Sequence, residues 1–121
     1  MSSILVVDDD KSLRDLLSAM LRDRGYEVDI AKEGDEALKI LAHTRFDVVI
    51  SDIIMPGKEG IETIREIRET YPDVQIIAMS AGGSLGNVQV LEYACMIGAH
   101  KAIRKPIKLP DLVALVEQML S

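Results

Sequence analysis

Residues 4–14 read ILVVDDDKSLR, an apolar run that ends in three aspartates and continues into a helical pattern. The apolar run is typical of a buried strand, and Asp8, Asp9 and Asp10 stand where that strand ends. Carboxylates held close together repel one another, and each is more stable in water than in a protein interior. The cluster is therefore either a solvated turn or a site for something positive. Asp10 is better explained as the N-cap of the following helix, a position that aspartate favours.

The composition is that of one globular domain, with 121 residues of which 48% are hydrophobic and 28% charged. No apolar run approaches the roughly 20 residues that cross a bilayer, so we expect no membrane insertion. A single cysteine excludes an internal disulfide and favours the reducing cytoplasm. The net charge of −6 argues against direct nucleic-acid binding, because a phosphate backbone requires a basic surface.

Strand and helix patterns alternate along the whole chain. Apolar strands without clean alternation are buried on both faces, which predicts a parallel sheet with helices on each side, a doubly wound α/β fold. The buried face predicted for the first helix consists of Leu13, Leu16, Leu17, Met20 and Leu21. The predicted strands are residues 3–8, 26–31, 46–51, 74–80 and 100–105, and the predicted helices are 11–24, 33–44, 61–71, 88–98 and a last one from Pro110.

The carboxyl ends of parallel strands meet at one edge of a sheet, where ligands bind in folds of this class. The sequence places three carboxylates, one hydroxyl and one ammonium at these strand ends. They are Asp8 and Asp9 after the first strand, Asp52 after the third, Ser80 at the end of the fourth and Lys105 at the end of the fifth.

These side chains suit phosphoryl transfer with a divalent cation. Mg²⁺ takes oxygen ligands and needs only one or two protein carboxylates, so it is the expected cofactor. Asp52 is the predicted nucleophile, Lys105 a point charge for the phosphoryl oxygens, and Ser80 a hydroxyl donor.

Four segments, ILVVDDD, DVVISDIIMPGKEGIE, IIAMSA and GAHKAIRKPI, resemble the successive motifs of the response-regulator receiver domain of two-component signalling. The resemblance covers essentially the whole chain. It implies a flavodoxin-like five-stranded parallel sheet in the order 2-1-3-4-5, flanked by five helices. We interpret residues 1–121 as one receiver domain of the stand-alone type, without an output domain. It would be a signalling domain that assists its own phosphorylation and dephosphorylation, not an enzyme.

The resemblance also implies partners. Such a domain accepts a phosphoryl group from a histidine kinase or a histidine phosphotransfer protein and then changes its contacts with a downstream protein target. The sequence identifies neither the kinase nor that target. Phosphorylation-linked homodimerisation through the last helices is left open.

Site roles follow from the same resemblance. Asp52 matches the phosphoacceptor, which also contacts the metal. The remaining roles are a direct metal ligand at Asp9, a ligand through water at Asp8, a backbone carbonyl ligand at Ile54, the switch hydroxyl at Ser80, a backbone N–H donor to the phosphoryl group at Ala81, the conserved-type lysine at Lys105 and a cis peptide bond before Pro106.

Two departures from the family pattern concern signalling. Ala102 stands where receivers have Tyr or Phe, and an alanine side chain has no rotamers through which it could respond. Our hypothesis is that the signal runs instead through residues 81–87, AGGSLGN, and the helix after them, because the glycines predict a flexible segment. Ile54 and Gly82 occupy the positions that orient an attacking water, and neither side chain forms a hydrogen bond. This predicts a long-lived phospho-Asp52.

Three other functions are weaker interpretations. An aspartate-nucleophile phosphatase would have a second acid two residues after Asp52, where this chain has Ile54. A flavodoxin-type electron carrier would have a Ser/Thr/Gly-rich phosphate loop where DDDKS stands, and this acidic segment would repel a phosphate. A degenerate receiver that only binds partners is disfavoured, because every acidic, hydroxyl and lysine position is filled.

Overall fold

The computed structural model describes residues 2–53, 60–81 and 95–121, which form five strands and four helices. The strands form one parallel sheet, in which they lie in the predicted order 2-1-3-4-5 when numbered along the chain. The predicted helix at 88–98 lies mostly outside the described residues, although 95–97 are helical. In chain order the elements are β1 (Ser3–Val7), α1 (Lys11–Asp23), β2 (Glu27–Ala31), α2 (Gly34–Leu41), β3 (Val48–Asp52), α3 (Gly60–Thr70), β4 (Gln75–Ala81), β5 (Lys101–Lys105) and α4 (Leu109–Leu120).

Both faces of the sheet are covered, as the apolar strands predicted. Successive side chains of a strand point to opposite faces, so each central strand contributes to two separate cores. Leu5 and Val7 of β1 pack in the core that includes α2 and α3. Ile4 and Val6 of the same strand pack with α1 and α4. The sheet is thus fixed from both sides, and its carboxyl edge is a rigid support for side chains.

The buried face of α1 differs in part from the prediction. Leu17 and Leu21 are buried as expected, whereas the prediction for Leu16 is wrong, because this side chain is 49% exposed. Arg14 and Ser18 are buried in its place. The Arg14 side chain donates a hydrogen bond to the backbone carbonyl of Asp8, just after β1, and this bond favours the orientation in which residues 14, 17, 18 and 21 face the sheet.

The ends of the helices have local causes. Asp10 is the N-cap of α1, as predicted, and its carboxylate accepts hydrogen bonds from the backbone N–H groups of Ser12 and Leu13. Helix α2 ends at Leu41, earlier than the predicted residue 44, and beyond it the N–H of His43 bonds to the carbonyl of Ile40, three residues back, as in a 3₁₀ turn. Within the ranges described, no helix has the length and apolar character required to span a membrane.

Candidate functional site

Three carboxylates meet at the carboxyl edge of the sheet, as the sequence predicted. Oxygen atoms of Asp8, Asp9 and Asp52 all lie within 4.8 Å of one another. Asp8 directly follows β1 and Asp52 is the last residue of the adjacent strand β3, so the pairing of these strands brings the two together. Asp8 is fully buried and Asp52 is 5% exposed, while Asp9 is exposed. The cluster therefore opens to solvent on the Asp9 side.

Lys105, the last residue of β5, bridges two of these carboxylates. Its Nζ donates hydrogen bonds to Oδ2 of Asp8 at 2.8 Å and to Oδ2 of Asp52 at 3.2 Å. Burial alone would lower the pKa of Lys105, but the hydrogen bond to Asp8 and the charges of Asp52 and Asp8 outweigh it and raise the pKa above its usual value. Lys105 is therefore protonated at neutral pH, and its two hydrogen bonds hold the ammonium in place.

Asp8 is held through each of its polar groups. Its Oδ1 accepts a hydrogen bond from the N–H of Asp10 at 2.8 Å, and its own N–H donates to the carbonyl of Ala31 at 3.1 Å. Its backbone carbonyl accepts a hydrogen bond from Nη1 of Arg14, also at 2.8 Å. These bonds and the one from Lys105 explain how a carboxylate with no exposed surface is tolerated.

Sequence reasoning assigned no role to Arg14, because only apolar residues were considered for the buried face of α1. A signal was present in the sequence: Arg14 lies three and seven residues before Leu17 and Leu21, which places it on their face of α1. It is only 7% exposed.

Ser80 and Ala81 are the last two residues of β4, which lies between the strands of Asp52 and Lys105. Asp52 pairs with Met79, the residue before Ser80, and Lys105 pairs with Ala81. Ser80 is fully buried. The structure therefore brings the predicted hydroxyl and backbone position to the same edge as the acidic cluster.

Some predictions concern residues that the structure does not describe. Ile54, the predicted backbone ligand, and most of the 81–87 segment lie outside the described residues. The cis peptide bond implied before Pro106 is present. The direct role of Asp9 and the water-mediated role of Asp8 stay predictions.

The acidic cluster could hold a metal ion. Its three potential ligands are all carboxylate oxygens, the hard donors that Mg²⁺ and similar divalent cations prefer. A cation in this position would add to the compensation of the carboxylates' mutual repulsion that Lys105 provides. The residues present thus fit a hard divalent cation.

Comparison with known proteins agrees with this geometry. A family model described as the response regulator receiver domain matches residues 4–117. The response regulator MprA of Mycobacterium sp. strain KMS is 37% identical over 118 residues, which are 97% of this chain and 50% of that protein. The transcriptional regulatory protein CpxR of Klebsiella pneumoniae is 36% identical over 120 residues, 99% of this chain and 50% of its own length.

A solved structure is also similar over its full length. The response regulator TrrA of Thermotoga maritima, crystallised in complex with Mg²⁺-BeF, superposes with a TM-score of 0.83 at 36% identity, covering 98% of this chain and 99% of that one. The chain therefore belongs to the response-regulator receiver-domain family of two-component systems. It spans about half the length of the curated relatives that it matches.

Proposed function

We propose that this domain accepts a phosphoryl group on Asp52, with Mg²⁺ held by the acidic cluster, and that the phosphorylated form changes its contacts with other proteins. The observation that supports this most directly is the Lys105 ammonium bonded to both Asp8 and Asp52 beside a third carboxylate. A nucleophilic carboxylate, two further acids and a fixed cation are the groups that phosphoryl transfer to an aspartate requires.

In the proposed reaction an Asp52 carboxylate oxygen attacks phosphorus and the bond from phosphorus to the donor nitrogen breaks. The donor is a phosphohistidine of a histidine kinase or histidine phosphotransfer protein, whose imidazole leaves and retains or takes up a proton. Bound Mg²⁺ would neutralise charge on the phosphoryl oxygens. Lys105 would release Asp52 and bind a phosphoryl oxygen, while the Ser80 hydroxyl and the Ala81 N–H would donate to others.

The metal roles follow the same proposal. Asp9, the exposed member of the cluster, would bind Mg²⁺ directly together with Asp52 and the backbone carbonyl of Ile54. Asp8 is already bonded to Lys105 and to the N–H of Asp10, which supports a contact through water instead of a direct bond. The structure of TrrA with Mg²⁺-BeF supports the choice of metal.

The biological setting belongs to the proposal as well. We infer a cytoplasmic signalling domain that assists its own phosphorylation, with no turnover of a separate substrate. Its output would be contact with a downstream protein, and the negative charge of these 121 residues disfavours direct nucleic-acid contact by this domain. CpxR is named a transcriptional regulatory protein and is about twice as long as this chain. The inference against nucleic-acid contact therefore concerns these 121 residues, and so does the interpretation of them as a stand-alone receiver.

The test is phosphorylation by a small donor. The purified domain is incubated with phosphoramidate and Mg²⁺, and intact-mass spectrometry measures addition of one phosphoryl group. We expect the adduct in the wild type, its loss in Asp52→Asn, and its loss when EDTA removes the metal. Asp29→Asn, an exposed aspartate on β2, is the matched control and should label normally. Labelling that persists in Asp52→Asn would refute the assignment of the acceptor.

A further inference from the structure

We propose that Arg14 is a positioning residue for the metal site: its buried guanidinium fixes the peptide between Asp8 and Asp9 and so aims the Asp9 carboxylate. The inference rests on the proposed function, since it concerns the cation which that function requires. The sequence motifs assign no role to this arginine, which the structure shows to be buried on α1.

The geometry begins with the hydrogen bond from Nη1 of Arg14 to the carbonyl oxygen of Asp8, 2.8 Å long and buried. That carbonyl shares a planar peptide unit with the N–H of Asp9, so fixing the oxygen fixes the direction in which the chain enters Asp9. On the other side, the Asp10 carboxylate binds the N–H groups of Ser12 and Leu13. Asp9 is thus bracketed by two attachments of the strand end to the same helix.

Asp9 depends on this bracket more than its neighbours do. Asp8 and Asp52 are buried and bonded to Lys105, whereas Asp9 is exposed. The position of an exposed side chain is restricted chiefly by the backbone from which it extends. A ligand set that must close on a small cation therefore gains most from a rigid backbone at Asp9.

Burying Arg14 is unfavourable for the stability of the fold, which argues that the residue does more than fill space in the core. It is 7% exposed, and among the described residues its Nε has no hydrogen-bond partner. Burying a charged group that is incompletely bonded is unfavourable, and an apolar side chain of similar volume often serves stability as well or better. Within residues 2–53, 60–81 and 95–121, the hydrogen bond that the guanidinium makes goes to the backbone carbonyl of Asp8, the residue before Asp9.

Positioning and charge predict opposite results. Removing a positive charge near three carboxylates would, by Coulomb attraction alone, tighten binding of a cation. Releasing the Asp8–Asp9 peptide would instead weaken it, since loss of an outer-shell partner typically costs about 10–100-fold in metal affinity. The sign of the change therefore separates the two roles.

The experiment is calorimetric titration of the EDTA-stripped full chain with Mg²⁺. We expect Arg14→Met to weaken Mg²⁺ binding by about tenfold or more. Arg14→Lys, which keeps a long cationic donor, should recover most of the affinity. Arg14→Gln, which is polar but shorter and neutral, serves as a second variant if the methionine variant does not fold, and should bind as weakly.

Arg22→Met is the matched control. Arg22 lies on the same helix and donates from Nη2 to the carbonyl of Val28, six residues away at 2.8 Å, in a bond of the same kind remote from the acidic cluster. Its loss should leave the affinity for Mg²⁺ unchanged. Binding by Arg14→Met and Arg14→Gln that is as tight as wild type, or tighter, would overturn the inference. Absence of Mg²⁺ binding by the wild type would instead overturn the proposed function on which it rests.

Discussion

At the scale of single residues, the mutual repulsion of three carboxylates in the site is opposed by hydrogen bonds and ion pairs. Asp8 has no exposed surface, yet it lies within 4.8 Å of two other carboxylates. The Lys105 ammonium directly contacts two members of the cluster, Asp8 at 2.8 Å and Asp52 at 3.2 Å. It therefore partly compensates the site in the absence of a metal, and its removal should expose the repulsion.

We expect Lys105→Met, which keeps the length of the side chain but not its charge, to lower the free energy of unfolding in EDTA by about 2 kcal/mol. This is less than the loss typical of breaking a fully buried pair, because Lys105 is partly exposed. Added Mg²⁺ should then raise the melting temperature more in the variant than in the wild type. Equal stability of the two proteins in EDTA would show that Lys105 does not compensate the cluster.

Gly60 is a residue whose lack of a side chain is required beside the site. A Cβ there would overlap the backbone oxygens of Asp52 and Ile53, and the N–H of Gly60 donates to Ile53 at 2.8 Å. We expect Gly60→Ala to cost about 2–3 kcal/mol of stability in urea unfolding, because backbone atoms cannot move aside cheaply.

Gly25→Ala is the comparison for that variant. At Gly25 a Cβ would meet nothing within 4 Å, but φ is +93°. Only the backbone strain applies there, so we expect Gly25→Ala to lower the free energy of unfolding by about 1 kcal/mol. A smaller loss at Gly60 than at Gly25 would contradict the steric explanation.

At the scale of elements, the sequence was sufficient for the sheet and insufficient for one helix face. Strands with apolar residues on both faces must be covered on both sides, so the parallel sheet and the meeting of Asp8, Asp52 and Lys105 at its edge were predictable. The face of α1 was not, because its apolar pattern fits two neighbouring orientations. The hydrogen bond of Arg14 to the backbone carbonyl of Asp8 favours one of them. The spacing of Arg14 from Leu17 and Leu21 agrees with that orientation, but a charged residue does not contribute to a pattern read from apolar residues alone.

His100 joins the starts of two neighbouring strands. Its backbone N–H donates to the carbonyl of Ile76 at 2.8 Å, and its Nδ1 accepts a hydrogen bond from the N–H of Ile76 at 3.0 Å. Burial, together with the positive charge of Arg68, lowers the pKa of His100 below its usual 6.5. Protonation of Nδ1 would replace the acceptor with a donor and lose the second bond.

A lowered pKa means that the unfolded chain binds the proton more readily than the folded protein does. The stability that His100 contributes is therefore complete above its unfolded pKa of 6.5 and is lost as the pH falls through the lower folded value. We expect urea unfolding to show lower stability at about pH 5.5 than at about pH 7.5. His100→Asn, which keeps an acceptor but does not titrate, should reduce this difference.

The second histidine provides the control for that measurement. His43 is exposed and lies just after α2, outside the strands of the sheet. His43→Asn should retain the pH dependence of the wild type. If His100→Asn retained it equally, the hydrogen bond to Ile76 would not be its source.

At the scale of the whole molecule, the proposed function requires that a change at Asp52 reach a surface that partners contact. Ser80 lies at the end of β4, and β5 beside it carries Ala102, which is half-buried and packed against the core shared with α2 and α3. An alanine has no side-chain rotamer to change, so we do not expect Ala102 to take part in a route from the hydroxyl to an aromatic ring, as the family pattern implies. Ser80 is also connected along the chain, through Ala81, to the segment that follows β4.

We therefore expect phosphorylation to change amide hydrogen exchange in residues 81–97, because a hydroxyl and an N–H drawn to the phosphoryl group would shift the end of β4 from which that segment starts. The measurement compares the phosphoramidate-treated and untreated domain in Mg²⁺ by mass spectrometry of peptides. Residues 27–44, on the far side of the sheet, are the internal reference and should exchange equally in both forms. Asp52→Asn, treated identically, should show no difference in either region. Identical exchange in residues 81–97 of the treated and untreated domain, in a sample whose intact mass confirms phosphorylation, would refute this route.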